Sequence, residues 1–231
     1  MLTDDPDTPG SRQWEVNVAF SELRTRSETS RSFPHVDLNY GVGRRIQLKY
    51  EVGWLFVQPA DQNWQSGLDD SLIGIKWRFA GTEESELKMS LYPQYQFDNG
   101  TGSVARGVAE PGPNLLLPIE LSRSFGRAAV VGEFGHQSLH DAPDEWVYRL
   151  LGALQASDTL ELLAELDGTT TSGRRDADVL INIGLRRRLG DQLKLLASAG
   201  SSLSNRPGST HLIAYLGIQL LLGRESDATH P

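Results

Sequence analysis

From Ile46 to Phe56 the chain reads IQLKYEVGWLF. Every even position is apolar or aromatic, and Gln47, Lys49 and Glu51 stand between them. A period of two gathers the apolar side chains on one face of a strand. The pattern recurs about twelve times between clusters of Gly, Asp, Asn, Ser and Pro. The predicted strands cover 13–22, 34–42, 45–57, 69–79, 86–97, 114–122, 127–138, 146–156, 159–167, 178–187, 192–201 and 211–221. LLGALQASDTLELLAEL is rich in helix formers, yet ASD interrupts it and Leu160, Leu162, Ala164 and Leu166 alternate with Glu161, Leu163 and Glu165. It is read as two strands and a turn. The expected fold is all-β, with about twelve antiparallel strands in one closed ring.

The connections separate into two kinds. RTRSETSRSF, QPADQNWQSGL, DNGTGSVARGVAEPGP and GTTTSGRRDA are long and polar, whereas GVGRR, SRSFG, ASD and RRLGD are short, and the two kinds alternate. That segregation is the pattern of a transmembrane barrel with long extracellular loops and short periplasmic turns. On the apolar faces, Trp14, Tyr40, Trp77 and Phe79 fall toward one end. Trp54, Phe56, Tyr95, Phe97, Phe134, Trp146 and Tyr148 fall toward the other, with aliphatic centres between. Two aromatic girdles around an aliphatic band match the two lipid–water interfaces.

The opposite faces then line a lumen. They carry Asp37, Lys49, Glu51, Lys76, Arg78, Lys88, Glu120, Glu133, Arg149, Glu161, Glu165, Arg186 and Lys194. Acids and bases are nearly balanced, so the expected lumen is close to neutral, without strong charge preference. In the β-hairpin after Tyr40, a three-residue loop Val42-Gly43-Arg44 sets Tyr40 opposite Ile46, Asp37 opposite Lys49 and His35 opposite Glu51. Near mid-membrane, arginine at Ile183 or Leu117 is expected to destabilise the barrel, and at Asn182 far less.

Composition narrows the alternatives. No run of eighteen apolar residues is present, so a spanning helix is not predicted. The absence of cysteine removes disulfides and thiolate metal sites. A net charge of −8 and the lack of a basic patch argue against nucleic acid; Arg186–Arg188 are read as a strand end and solvated turn. No cofactor is implied. The expected surroundings are membrane lipid, with an unspecified small-molecule solute and a monomeric barrel. MLTDDPDTPG lacks the charged and apolar regions of a signal peptide, which is taken as removed. The division expected is 1–12 as a flexible segment, 13–223 as the barrel and 224–231 as a polar tail.

LNYGVGRRIQLKYEVGW, SGLDDSLIGIKWRF, SLYPQYQF, LLLPIELSRSFG, DEWVYRLLGALQ and YLGIQL resemble the outer-membrane transporters named for the meta-pathway of phenol degradation. The resemblance spans most of the chain. It implies a barrel that passes small, uncharged or weakly polar compounds, aromatic ones among them, and no catalytic residues. It also implies a bacterial outer-membrane location. The chain departs from the usual pattern by ending its last strand without a terminal aromatic.

Two stretches raise other chemistry. GHQSLHD places His136, Ser138 and His140 on one strand face, and HQS resembles the motif of outer-membrane phospholipase A, which would make His136 and Ser138 a lipid-hydrolysing pair. The orienting Asn of that family has no counterpart after Trp146; Asp141 or Asp144 would have to serve. The plainer reading is polar residues where a strand leaves the membrane. Asp69 and Asp70, with Asp61, suggest a Ca²⁺ loop, but the spacing fits no recognised one and a solvated loop explains them. His35 and His211 are isolated. The leading reading is therefore a non-enzymatic outer-membrane channel, with a lipid hydrolase and a soluble ligand-binding barrel as alternatives.

Overall fold

The computed structural model describes residues 2–171, 177–204 and 208–223. Twelve spans form one sheet: β1 (Trp14–Arg24), β2 (Glu28–Val42), β3 (Ile46–Pro59), β4 in two segments (Gln65–Leu68 and Ser71–Ala80), β5 in two segments (Leu87–Leu91 and Gln94–Phe97), β6 (Asn114–Phe125), β7 (Ala128–Ser138), β8 (Glu145–Ser157), β9 (Leu160–Thr171), β10 (Ala177–Arg188), β11 (Leu193–Ser202) and β12 (Leu212–Leu222). A 3₁₀ turn, Val104–Arg106, sits in the β5–β6 loop. Each span pairs antiparallel with the next. β1 pairs with β12 from Trp14 opposite Leu222 to Arg24 opposite Leu212, which closes the ring. Closure leaves no edge with unpaired backbone groups, a condition hydrocarbon imposes because it offers no hydrogen bonds.

The two faces are inverted relative to a soluble barrel. On β4, Ile73, Ile75 and Trp77 are about half exposed on the outside, while Lys76 and Arg78 between them are 1% exposed inside. On β10, Ile183 is 63% exposed and its neighbour Asn182 is 1% exposed. Apolar side chains thus face out and charges face in, as membrane strands require. The aromatics pair at the rims: Trp14 with Tyr40 (ring centroids 4.7 Å apart) at the short-turn end, and Phe134 with Trp146 (5.2 Å) at the long-loop end. Val131, Leu151 and Leu163 form a small apolar patch on the inner wall of β7, β8 and β9. Among the described residues, no helix is long and apolar enough to cross a membrane.

The β2–β3 register differs from the expectation by two residues. Val42 stands opposite Ile46, Tyr40 opposite Leu48 and Asp37 opposite Glu51. The loop still holds three residues, but they are Gly43, Arg44 and Arg45, because Gly43 takes the left-handed conformation (φ 64°) at the first loop position. The facing of every side chain survives this shift, since two residues is one full period. The Asp37–Lys49 and His35–Glu51 contacts persist as diagonals, at 3.6 and 3.0 Å.

The expected long loop RTRSETSRSF is also largely sheet. β1 and β2 continue pairing to Arg24 opposite Thr29, leaving Thr25–Ser27 as the turn. Cross-strand chemistry explains it: Glu22 accepts from Arg31 at 2.8 Å and from Arg24 at 2.5 Å. Two spans are interrupted instead. β4 breaks at Asp69-Asp70, and β5 breaks at Tyr92-Pro93, where proline has no N–H for the ladder.

Candidate functional site

The lumen is not empty. Residues 2–12, expected to be a flexible segment, turn into the barrel from the short-turn end and cross it. The turn is built by a close backbone approach. Arg12 N–H donates to Gly41 O at 2.9 Å, and Gly41 N–H donates to Gln13 O at 3.0 Å. A Cβ on Gly41 would lie 1.7 Å from the carbonyl oxygen of Gly10, so only glycine lets the segment fold over β2 here. Gly41→Ala is therefore expected to displace residues 2–12. Greater conductance and new protease cleavage within the segment, with the folded barrel retained, would show it; an unchanged digestion pattern would refute it.

Beyond the turn, two carboxylates of the segment meet three cations on one wall. Lys76 donates to Asp4 Oδ1 at 2.7 Å and to the backbone oxygen of Asp5. Arg78 donates to Asp7 Oδ1 at 3.0 Å, and Lys88 donates to both Asp7 oxygens at 2.7 and 2.9 Å. Lys76 also lies 4.5 Å from the ring centre of Tyr92 and 3.6 Å from Glu120, which accepts from Ser90. The far end of the segment docks on the opposite wall. The N–H groups of Leu2 and Thr3 both donate to the Glu165 carboxylate, which also accepts from Asn182 Nδ2 at 3.1 Å. Each buried charge thus has partners, which a low-dielectric interior demands.

The remaining lumen residues form their own clusters. Arg149 donates to Glu133 at 2.7 Å and to Asp167 at 2.5 Å. Arg186 reaches Glu161 at 3.4 Å. Asp37, Lys49, Glu51, Arg186 and Lys194 line a cavity of about 690 Å³ left between the segment and the wall of β9–β12 and β1–β3. Sequence reasoning placed these side chains on one face but missed the acids of the inserted segment. The signal was present: Asp4, Asp5 and Asp7 recur within four residues, matching the basic run Lys76, Arg78 and Lys88.

The other candidates are also located. Ser138 Oγ donates to Asp144 Oδ1 at 3.2 Å, and His136 Nε2 lies 3.5 Å from Asp144 Oδ2. The carboxylate therefore stands between serine and imidazole, and the hydroxyl donates to it and not to His136, which is not the order of a Ser-His-Asp triad. Asp70 accepts from Gln96, and Asp69 accepts from the backbone of Asp70. Among the described residues, no group of three or more acids or histidines is arranged to hold a metal ion.

Comparison with solved structures places this architecture. An outer membrane channel from Pseudomonas putida F1 superposes with a TM-score of 0.79 over 96% of this chain and all of its own, at 14% identity. This is the outer-membrane β-barrel fold. The NanC porin (TM-score 0.64, 6% identity, 89% of this chain and 98% of its own) and the KdgM porin (0.62, 8% identity, 88% and 98%) share it. No family model and no curated protein matches the sequence. At these identities the likeness concerns the fold. A shared fold at 6–14% identity shows how loosely such a barrel constrains its sequence: alternation and rim aromatics suffice.

Proposed function

We propose that the protein is a channel of the bacterial outer membrane that passes small, uncharged or weakly polar solutes beside an inserted segment. The observation that carries this reading is the cavity of about 690 Å³. It runs from Gln13, Lys194 and Leu221 near the short-turn end to Ser21, Ile213 and Tyr215 higher in the barrel. Its walls mix polar groups with the aliphatic side chains of Leu163 and Leu196. The basic wall is occupied by Asp4 and Asp7, which argues against a path built for anions. Aromatic compounds are one candidate class, because the sequence resembles transporters named for phenol degradation.

Outward exposure of Ile73, Ile75, Trp77 and Ile183 supports a lipid environment over a soluble barrel. Fractionation with detergent extraction tests this first: recovery in the outer membrane is expected, and a protein monodisperse without detergent would refute it. Liposome swelling with small neutral solutes then tests passage. Uptake of weakly polar aromatic alcohols faster than of sugars of similar size is expected, and equal exclusion of both would overturn the proposal.

A further inference from the structure

We propose that the hydroxyls of Ser21, Tyr215 and Ser198 bind the hydroxyl group of a neutral alcohol as it passes through the lumen. The inference rests on the channel reading and names the group by which that channel selects its solute.

The three residues come from three neighbouring strands. Tyr215 of β12 stands opposite Ser21 of β1 on one side and opposite Ser198 of β11 on the other. All three are half-buried and line the 690 Å³ cavity. They therefore form one row across the seam that closes the barrel. Among the described residues their hydroxyls bond to no protein group, and none of the three oxygens is shut away from the cavity. A solute arriving there meets groups that can both donate and accept.

The tyrosine is held in place by a glycine. Gly217 lies two positions further along β12 and is buried. A Cβ there would lie 2.8 Å from the Tyr215 hydroxyl oxygen, 2.9 Å from its Cε1 and 3.0 Å from the Cβ of Ala19. The ring thus lies down over Gly217 beside Ala19, which is 1% exposed. Glycine inside a strand marks this kind of close approach. Laid on the wall, the ring leaves the path open and keeps its hydroxyl near the serines.

The frame around the row is uncharged. Ala19, Gly217 and Leu196 stand abreast on one side of it, and Ile213 and Gly200 on the other. Elsewhere on the inner wall the neutral polar groups are engaged by carboxylates: Asn17 by Glu15 and Asp37, and Ser90 by Glu120. An ion entering the uncharged frame would lose water without gaining a counter-charge. A monohydric alcohol fits it better. Its one hydroxyl meets the row, and its hydrocarbon part covers Leu196 and Ile213. A sugar carries more hydroxyls than the row can satisfy. The inserted segment lines the facing side of the same cavity through Leu2 and Thr3, so a solute passing beside it runs along this wall.

The test uses the full chain in planar bilayers, with cyclohexanol and tetrahydropyran as probes. The two rings are close in size, but only cyclohexanol can donate a hydrogen bond. Cyclohexanol is expected to block the ion current with an apparent affinity about fivefold higher, the worth of one hydrogen bond. Tyr215→Phe combined with Ser21→Ala and Ser198→Ala removes only the oxygens and should abolish the difference. Gly217→Ala keeps all three oxygens but lifts the ring off the wall, and should lower the difference as well. Heat-shifted electrophoretic migration establishes which variants are folded, and Tyr215→Phe alone decides the matter if the triple variant is not. In detergent micelles, ring-¹³C-tyrosine spectra should show cyclohexanol contacts at the signal that Tyr215→Phe removes. Those contacts in a protein that carries no current would leave the site standing and refute the channel. Equal block by the two probes, or a difference unchanged in the folded hydroxyl variants, would overturn the site and leave the channel.

Discussion

Replacing Asp4 and Asp7 together by asparagine raises single-channel conductance several-fold and turns the selectivity toward anions. Both carboxylates are held by charge-assisted hydrogen bonds from Lys76, Arg78 and Lys88 at 2.7–3.0 Å. Each such bond contributes about 1.5–3 kcal/mol net, and the two substitutions weaken every one on this wall. The barrel itself should persist, because Lys76 keeps Glu120 at 3.6 Å and Arg78 keeps Glu83 at 3.8 Å. Once the segment leaves, three cations line the widened path, hence the selectivity toward anions. Bilayer recordings of the double variant beside the unsubstituted protein decide it. Unchanged conductance would mean that residues 2–12 are held by their docking on Glu165 alone.

Ile183→Arg destabilises the inserted barrel by about 2–4 kcal/mol, since charge at mid-membrane on the lipid face carries that cost. Ile183 sits mid-strand, between Ala164 and Ala199 of the adjoining strands, and is 63% exposed outward. Urea unfolding from lipid vesicles measures the loss. Leu117, treated as equivalent from sequence, stands opposite His136 close to the long-loop rim, so the same change there should cost less. Asn182→Arg is a different case from the one the alternation suggests. Its side chain donates to Glu165, the group that also holds Leu2 and Thr3. Stability should change little, but arginine would compete for that carboxylate and loosen the segment. Equal destabilisation at positions 182 and 183 would refute the facing.

The barrel was legible because membrane strands obey one strong rule, a period of two with aliphatic centres and aromatic rims. Gly74, Lys76 and Arg78 alternate with Ile73, Ile75, Trp77 and Phe79 without exception, and the structure follows. Register was less legible. A shift of two residues at Gly43 leaves every facing intact, so the hydrophobic pattern carries no information about it. The extended β1–β2 hairpin escaped notice because its upper part is stabilised by Glu22, Arg24 and Arg31 in place of apolar contacts. The inserted segment escaped because DDPDTPG has no periodicity at all. Its placement depends on contacts with Lys76, Arg78 and Glu165, dozens of positions away, and local pattern does not encode such pairings.

The docking of Leu2 and Thr3 on Glu165 spans 163 and 162 positions of sequence, and the β1–β12 seam joins Trp14 to Leu222. Contacts this distant form late, because the loop-closure entropy must be overcome before they contribute. The segment 2–12 is therefore among the last parts to find its place. Assembly passes through a barrel whose interior is still hydrated, with Glu165, Lys76 and Arg78 holding only their wall partners Asn182, Glu120 and Glu83. Water leaves only as the segment enters, so the final step of maturation is a drying of one half of the interior.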